Sequence, residues 1–132
     1  STQVLRLSCA IEENQLLAIG ADNTENLHVA LGYFSSLETD ANLSFKERYR
    51  GRFGGRAPAL NSIGQSLYEG MHFLATLLDD PQHASSGPSG RQVPPRPYAS
   101  ARNAMYLGAG GNHAPMYLAG AEGHSFRVLA RC

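Results

Sequence analysis

The chain has 132 residues, with eleven Lys and Arg balanced by eleven Asp and Glu, so its formal charge at pH 7 is zero. That length suits one domain of ordinary size, and the charge balance excludes the basic footprint of a nucleic-acid-binding surface. Two cysteines, Cys9 and Cys132, are too few for a disulfide scaffold, and no run approaches the roughly 18 apolar residues of a membrane span.

Residues 4–11 predict a strand, apolar on both faces as in the interior of a parallel sheet. Cys9 lies within it and is expected to be a buried thiol; a disulfide to the terminal Cys132 stays open at this level. Glu12 and Glu13 then open a short helix with Leu16, Leu17 and Ile19 as its apolar stripe, and acidic residues there complement the helix dipole. Gly20 is placed to end it. Residues 22–26 are polar and turn-like. Residues 27–34 predict a second strand of β-branched and aromatic residues between turn signals.

Thr39, Asp40 and Asn42 offer N-caps for a helix over about 43–53. Phe45, Tyr49 and Phe53 recur at i, i+4 and predict an aromatic stripe packed on the core. Lys46, Arg48, Arg50, Arg52 and Arg56 form a basic run, read as a solvated face whose charges favour the helix C-terminus. Gly54 and Gly55 stop the helix. Residues 58–60 predict a short buried stretch. Asn61 or Ser62 then caps the longest helix, 62–78, with Ile63, Leu67, Met71, Leu74 and Leu78 on its apolar face. Gly64 and Gly70 inside it each cost up to about 1 kcal/mol against alanine, which predicts close approach of another backbone there.

Residues 81–97, rich in proline, serine and glycine, read as a loop. Residues 102–107 predict a strand and 108–113 a turn. Residues 116–119 and 126–130 alternate as a hairpin around Glu122-Gly123.

No catalytic set emerges. Ser8 and Cys9 have no evident base partner, and one nucleophile alone argues no reaction. The histidines, His28, His72, His83, His113 and His124, include no helical i, i+4 pair, and no Cys-x-x-Cys occurs, so neither a metal nor another cofactor is expected. Gly108-Ala109-Gly110-Gly111 leads into strand-like residues rather than a helix, which favours a turn over a phosphate cradle. Asn112 and His113 at its end either line a cleft or satisfy the turn. Tyr33-Phe34-Ser35-Ser36 is the most suggestive spot. It ends a buried strand, where open α/β sheets collect ligands. Its rings could stack on a small solute and its hydroxyls fix a polar end; equally, Tyr33 and Phe34 could be core and the serines a loop cap.

Three runs together carry a resemblance. They are His28-Val29-Ala30-Leu31-Gly32-Tyr33-Phe34-Ser35-Ser36-Leu37-Glu38-Thr39, then Phe45-Lys46-Glu47-Arg48-Tyr49-Arg50-Gly51-Arg52-Phe53, then Ala57-Pro58-Ala59-Leu60-Asn61-Ser62 with Tyr68-Glu69-Gly70 beyond it. In order and spacing the chain resembles the C-terminal part of a type I periplasmic-binding-protein-like fold, in its branched-chain amino acid, urea and amide group. The Tyr-Phe-Ser-Ser run looks most like the amide sensors of aliphatic amidase operons. The resemblance implies an α/β fold with parallel sheet elements and a terminal β-hairpin. It implies residues 1–33 in a C-terminal-type lobe, 34–111 in an N-terminal-type lobe with the proline-rich loop at 81–98, and 112–132 as closing strands of the first lobe.

What the resemblance implies for function is non-enzymatic binding of a short-chain amide, urea or amino acid by cleft closure. Ligand-binding or hinge positions would be Tyr33, Phe34, Ser35, Asn61, Asn112 and His113. A permease or an antiterminator would receive the signal, without direct nucleic-acid contact or membrane insertion by this chain. The compartment would be cytoplasmic for a sensor and periplasmic for a transport receptor. A missing N-terminal portion or second chain would complete the ligand site. Edges and apolar patches left open would drive self-association. The alternative is a protein-interaction or dimerisation module without a small ligand.

Overall fold

The computed structural model describes residues 4–79, 100–106 and 112–132. The expected proline-rich loop at 81–97 and the glycine run at 108–111 lie outside these. The fold is mixed α/β. A four-stranded sheet has the order β1-β2-β5-β6, with β1 (Arg6–Ser8) parallel to β2 (Leu27–Leu31) and the remaining pairs antiparallel. β5 (Tyr117–Glu122) and β6 (Ser125–Arg131) form the terminal hairpin that the alternation predicts. Gly123 opens its turn at φ +62°, where a side chain would be strained. A separate two-stranded ladder joins β3 (Met105–Tyr106) to β4 (Asn112–His113).

Side-chain alternation in β2 decides where the core sits. Leu27, Val29 and Leu31 are buried, while His28 and Ala30 are half-buried. Val29 pairs with Ala119 and Leu31 with Tyr117, so the same face of β5 joins the core. Phe126 of β6 extends it, its ring centroid 5.0 Å from that of Phe34. Leu16 of α1 (Glu13–Ile19) closes one side of this cluster and Phe45 of α2 (Asp40–Phe53) also joins it.

The opening strand departs from its sequence pattern. Among the described residues only β2 pairs with it, so β1 is an edge of three residues there, and Val4, Leu5 and Leu7 are mostly exposed. Its anchor is polar: the Arg6 guanidinium donates to the carbonyls of Asn23 and Glu25. Cys9, expected to be buried, is exposed because the strand ends before it, and Cys9 and Cys132 are both free thiols.

Helix boundaries follow their capping chemistry. Glu12 and Gln15 form a reciprocal capping box at the start of α1. Gly20 ends it at φ +83°, its N–H reaching the Leu16 carbonyl. Leu17 of the expected stripe is exposed, since a seven-residue helix turns only one narrow face to the sheet. At the start of α2, Thr39 Oγ1 accepts the Asn42 N–H at 3.1 Å. The aromatic stripe of α2 grades from core to solvent: Phe45 is buried, Tyr49 half-buried and Phe53 exposed. The stretch 57–60 is half-buried coil, except for exposed Pro58.

α3 spans Ser62–Leu78, as its periodicity predicts. Asn61 starts it, with Oδ1 accepting the Gly64 N–H at 2.8 Å. Gly64 answers to this cap rather than to a neighbouring backbone: a Cβ there would lie 3.1 Å from Asn61 Oδ1, and one at Gly70 would meet nothing within 4 Å. The orientation of α3 reverses the expected one. Ile63, Leu67, Met71, Leu74 and Leu78 face solvent, from 48% to 72% exposed, while Gln65 and Glu69 are at most 1% exposed.

A polar network causes this reversal. Arg102 grips Glu69 Oε1 through Nε at 3.1 Å and Nη2 at 2.9 Å. Ser100 Oγ and Gln65 Nε2 donate to Glu69 Oε2 at 2.5 and 2.8 Å. A buried carboxylate holding this many donors is fixed firmly. Gly32 leaves room for the clamp, since a Cβ there would sit 3.3 Å from Arg102 Nη1.

Candidate functional site

The turn that follows β2 is built around one buried amide. Asn42 is fully buried; its Nδ2 donates to the carbonyls of Leu37 at 2.7 Å and Ser35 at 3.3 Å. Its Oδ1 accepts the Tyr33 hydroxyl at 2.9 Å. Ser35 is thereby held between two charged side chains. Its N–H donates to Glu13 Oε1 at 2.7 Å, and its carbonyl accepts from Lys46 Nζ at 2.8 Å. Burial pushes the Glu13 carboxyl above its usual value, against the lowering pull of the Ser35 N–H. Burial also pushes the Tyr33 phenol well up, with the nearby Glu13 charge acting in the same direction, so Tyr33 stays a neutral donor.

A cleft of about 500 Å³ opens beside this turn, within the range of small-molecule pockets. Ser35, Lys46, Tyr49 and Arg50 line one side, and Gly54, Gly55 and the stretch from Ala57 to Leu60 line the other. Lys46 and Arg50 lie one helical turn apart on α2 and therefore share a face. Tyr49 bridges the cleft, its hydroxyl donating to the Pro58 carbonyl at 3.0 Å. Two cations, a phenol oxygen free to accept and backbone polar groups suit a small polar solute with a carbonyl or carboxylate end.

A second cavity, about 350 Å³, lies between α2 and α3. Ala41, Phe45 and Arg48 supply one wall, and Gln65, Tyr68, His72 and Ala101 the rest. Among the described residues, no three His, Cys, Asp or Glu side chains converge to hold a metal ion.

The six residues singled out from sequence fall in separate places. Tyr33 and Phe34 are fully buried core. Ser35 lines the larger cleft. Asn61 is committed to capping α3. Asn112 and His113 form β4, and His113 is exposed. Only Ser35 of the six touches either cavity. The cleft residues that sequence reading missed are Lys46, Tyr49 and Arg50. The i, i+4 spacing of Lys46 and Arg50 was the available signal, but it sat inside a basic run that reads as a solvated face.

Comparison with known proteins adds one positive finding. A family model described as "Periplasmic binding protein" matches residues 1–120. No match was found among curated proteins. No helix among the described residues is long and apolar enough to cross a membrane.

Proposed function

Because the chain belongs to the type I periplasmic binding protein family, we propose that it binds a short-chain amide, urea or an amino acid, without catalysis. The family match over residues 1–120 carries this reading. The cleft at Ser35 supports it, because the turn after β2 there presents polar groups beside two cations. In this reading Ser35, Lys46, Tyr49 and Arg50 hold the solute, and residues near 33–35 and 112–113 are the crossings between two lobes. A further N-terminal portion or a second chain completes the site. Ligand contact with both lobes favours the closed state, which a permease or an antiterminator then reads.

The test is thermal unfolding with acetamide, urea and a panel of amino acids. One of them should raise Tm with increasing concentration by mass action, and Arg50→Gln, at an exposed residue of the cleft, should reduce the rise without lowering the unliganded Tm. If none raises Tm, solute binding by this chain fails.

The solvent-facing apolar stripe of α3 favours a second reading, a protein-interaction or dimerisation module. Five large apolar side chains at 48–72% exposure along one helix form the kind of patch that marks association, and one edge of β1 has no strand partner among the described residues. Light scattering across a concentration series separates the two. Association without any ligand-dependent Tm supports the module.

A further inference from the structure

The charges of the cleft beside Ser35 narrow what it can hold. Among the described residues no Asp or Glu lines it, while Lys46 and Arg50 both do. Neither cation forms a salt bridge among the described residues. Glu13, which accepts the Ser35 N–H, is buried and is not a lining residue. Lys46 is the sharper constraint. It is half-buried, and its Nζ donates to the Ser35 carbonyl at 2.8 Å. An ammonium has three donors and no acceptor, so this one bond leaves hydrogens to spare. Taking a cation out of water without a counter-charge is costly, and an anion in the cleft offsets that cost.

Arg50 supplies a second, separate charge. It is exposed and presents a planar fork that matches a carboxylate. The Cβ atoms of an i, i+4 pair stand about 5–6 Å apart, a separation that two carboxylates on a short chain can meet. The opposite wall supplies the complement. Ala57, Pro58, Ala59 and Leu60 line it with apolar side chains, against which methylene groups are removed from water. A solute ammonium finds no carboxylate in this lining, and a neutral amide leaves both cations uncompensated.

We propose that the cleft is specific for a short aliphatic dicarboxylate: aspartate or glutamate among amino acids, and succinate or glutarate where the amine is lacking. One carboxylate accepts from Lys46 and the other from Arg50, with the methylenes between them on the 57–60 wall. This rests on the reading of the cleft as the solute site and narrows it to one charge class, at the expense of neutral amides and urea.

The experiment titrates the isotope-labelled protein with glutarate, glutamate, glutamine, acetamide and sulfate, following the backbone amide signals of Ser35, Tyr49, Arg50 and Gly55. Saturable shifts are expected with glutarate and glutamate, glutarate binding at least as tightly. Glutamine has the same shape with one charge fewer and should bind about 10-fold more weakly, the loss of one charge-assisted hydrogen bond. Arg50→Gln, an exposed substitution whose folding is checked by its melting curve, should weaken glutarate about 10-fold and remove the preference for glutamate over glutamine. The proposal is overturned if glutamine matches glutamate, if Arg50→Gln has no effect, or if sulfate matches glutarate, since the spacing of two carboxylates is then not read. Saturation by glutamine or acetamide with none by glutarate overturns it while leaving solute binding at the cleft intact. If no compound shifts these signals, the solute-site reading falls with it.

Discussion

β2 and α3 bury their side chains by opposite rules. In β2 the apolar residues Leu27, Val29 and Leu31 go inward, and the sheet register extends the same face to Tyr117 and Ala119. In α3 the polar residues Gln65 and Glu69 go inward, and the apolar stripe goes outward. Burial of apolar area drives the first arrangement. The second depends on charge-assisted hydrogen bonds that hold one carboxylate. A strand in this chain is thus placed by area and a helix by hydrogen bonds to one buried carboxylate, and the two forms of attachment should fail differently.

The largest failure is expected at the clamp. Arg102→Leu removes the bidentate guanidinium from the buried Glu69 and should cost about 3–5 kcal/mol in urea denaturation. If the loss is under about 1 kcal/mol, the clamp does not place α3. Next is the buried turn beside β2. Tyr33→Phe strands the Asn42 Oδ1 and should cost about 1–3 kcal/mol by the same measurement.

A pH series sharpens the comparison on the sheet side. Burial raises the Glu13 carboxyl, so the folded chain holds this proton more tightly than the unfolded one. Its contribution is therefore most favourable below the unfolded value of 4.5 and is lost as pH rises through that value to the folded one. Glu13→Gln keeps an acceptor for the Ser35 N–H and removes the ionisation. The variant should be more stable than the parent at pH 7, and the two should converge near pH 4. The smallest effect belongs to the outer face of α3. Leu67→Glu should change monomer stability by no more than about 0.5 kcal/mol, while any self-association in light scattering disappears. A large destabilisation would mean that the stripe packs within the chain.

The two regions also differ in how far sequence reveals them. The β-branched and aromatic residues between turn signals name β2 as an element, although the strand ends at Leu31 rather than at Phe34. The period of α3 gives its bounds, Ser62–Leu78, but an apolar stripe does not say what covers it. Glu69 meets Ser100 and Arg102 across long sequence separations, and no local pattern records that meeting. The opening strand was misjudged for a related reason: an apolar run reads as interior, whereas pairing on one side only makes β1 an edge. In the site, the Tyr33-Phe34-Ser35 turn was visible as a strand end. Its rings proved to be core because Asn42, itself read as a possible cap, folds the turn inward.

The sheet register has a consequence for how the chain reaches this structure. The β5–β6 hairpin closes over a two-residue turn and can form within about 1–10 μs. β2 joins it only when His28 meets Gly120, from opposite ends of the chain. The entropy of closing so long a loop comes before any reward from the contact. Refolding should therefore be slow, with the hairpin waiting as a template and the docking of β2 setting the rate.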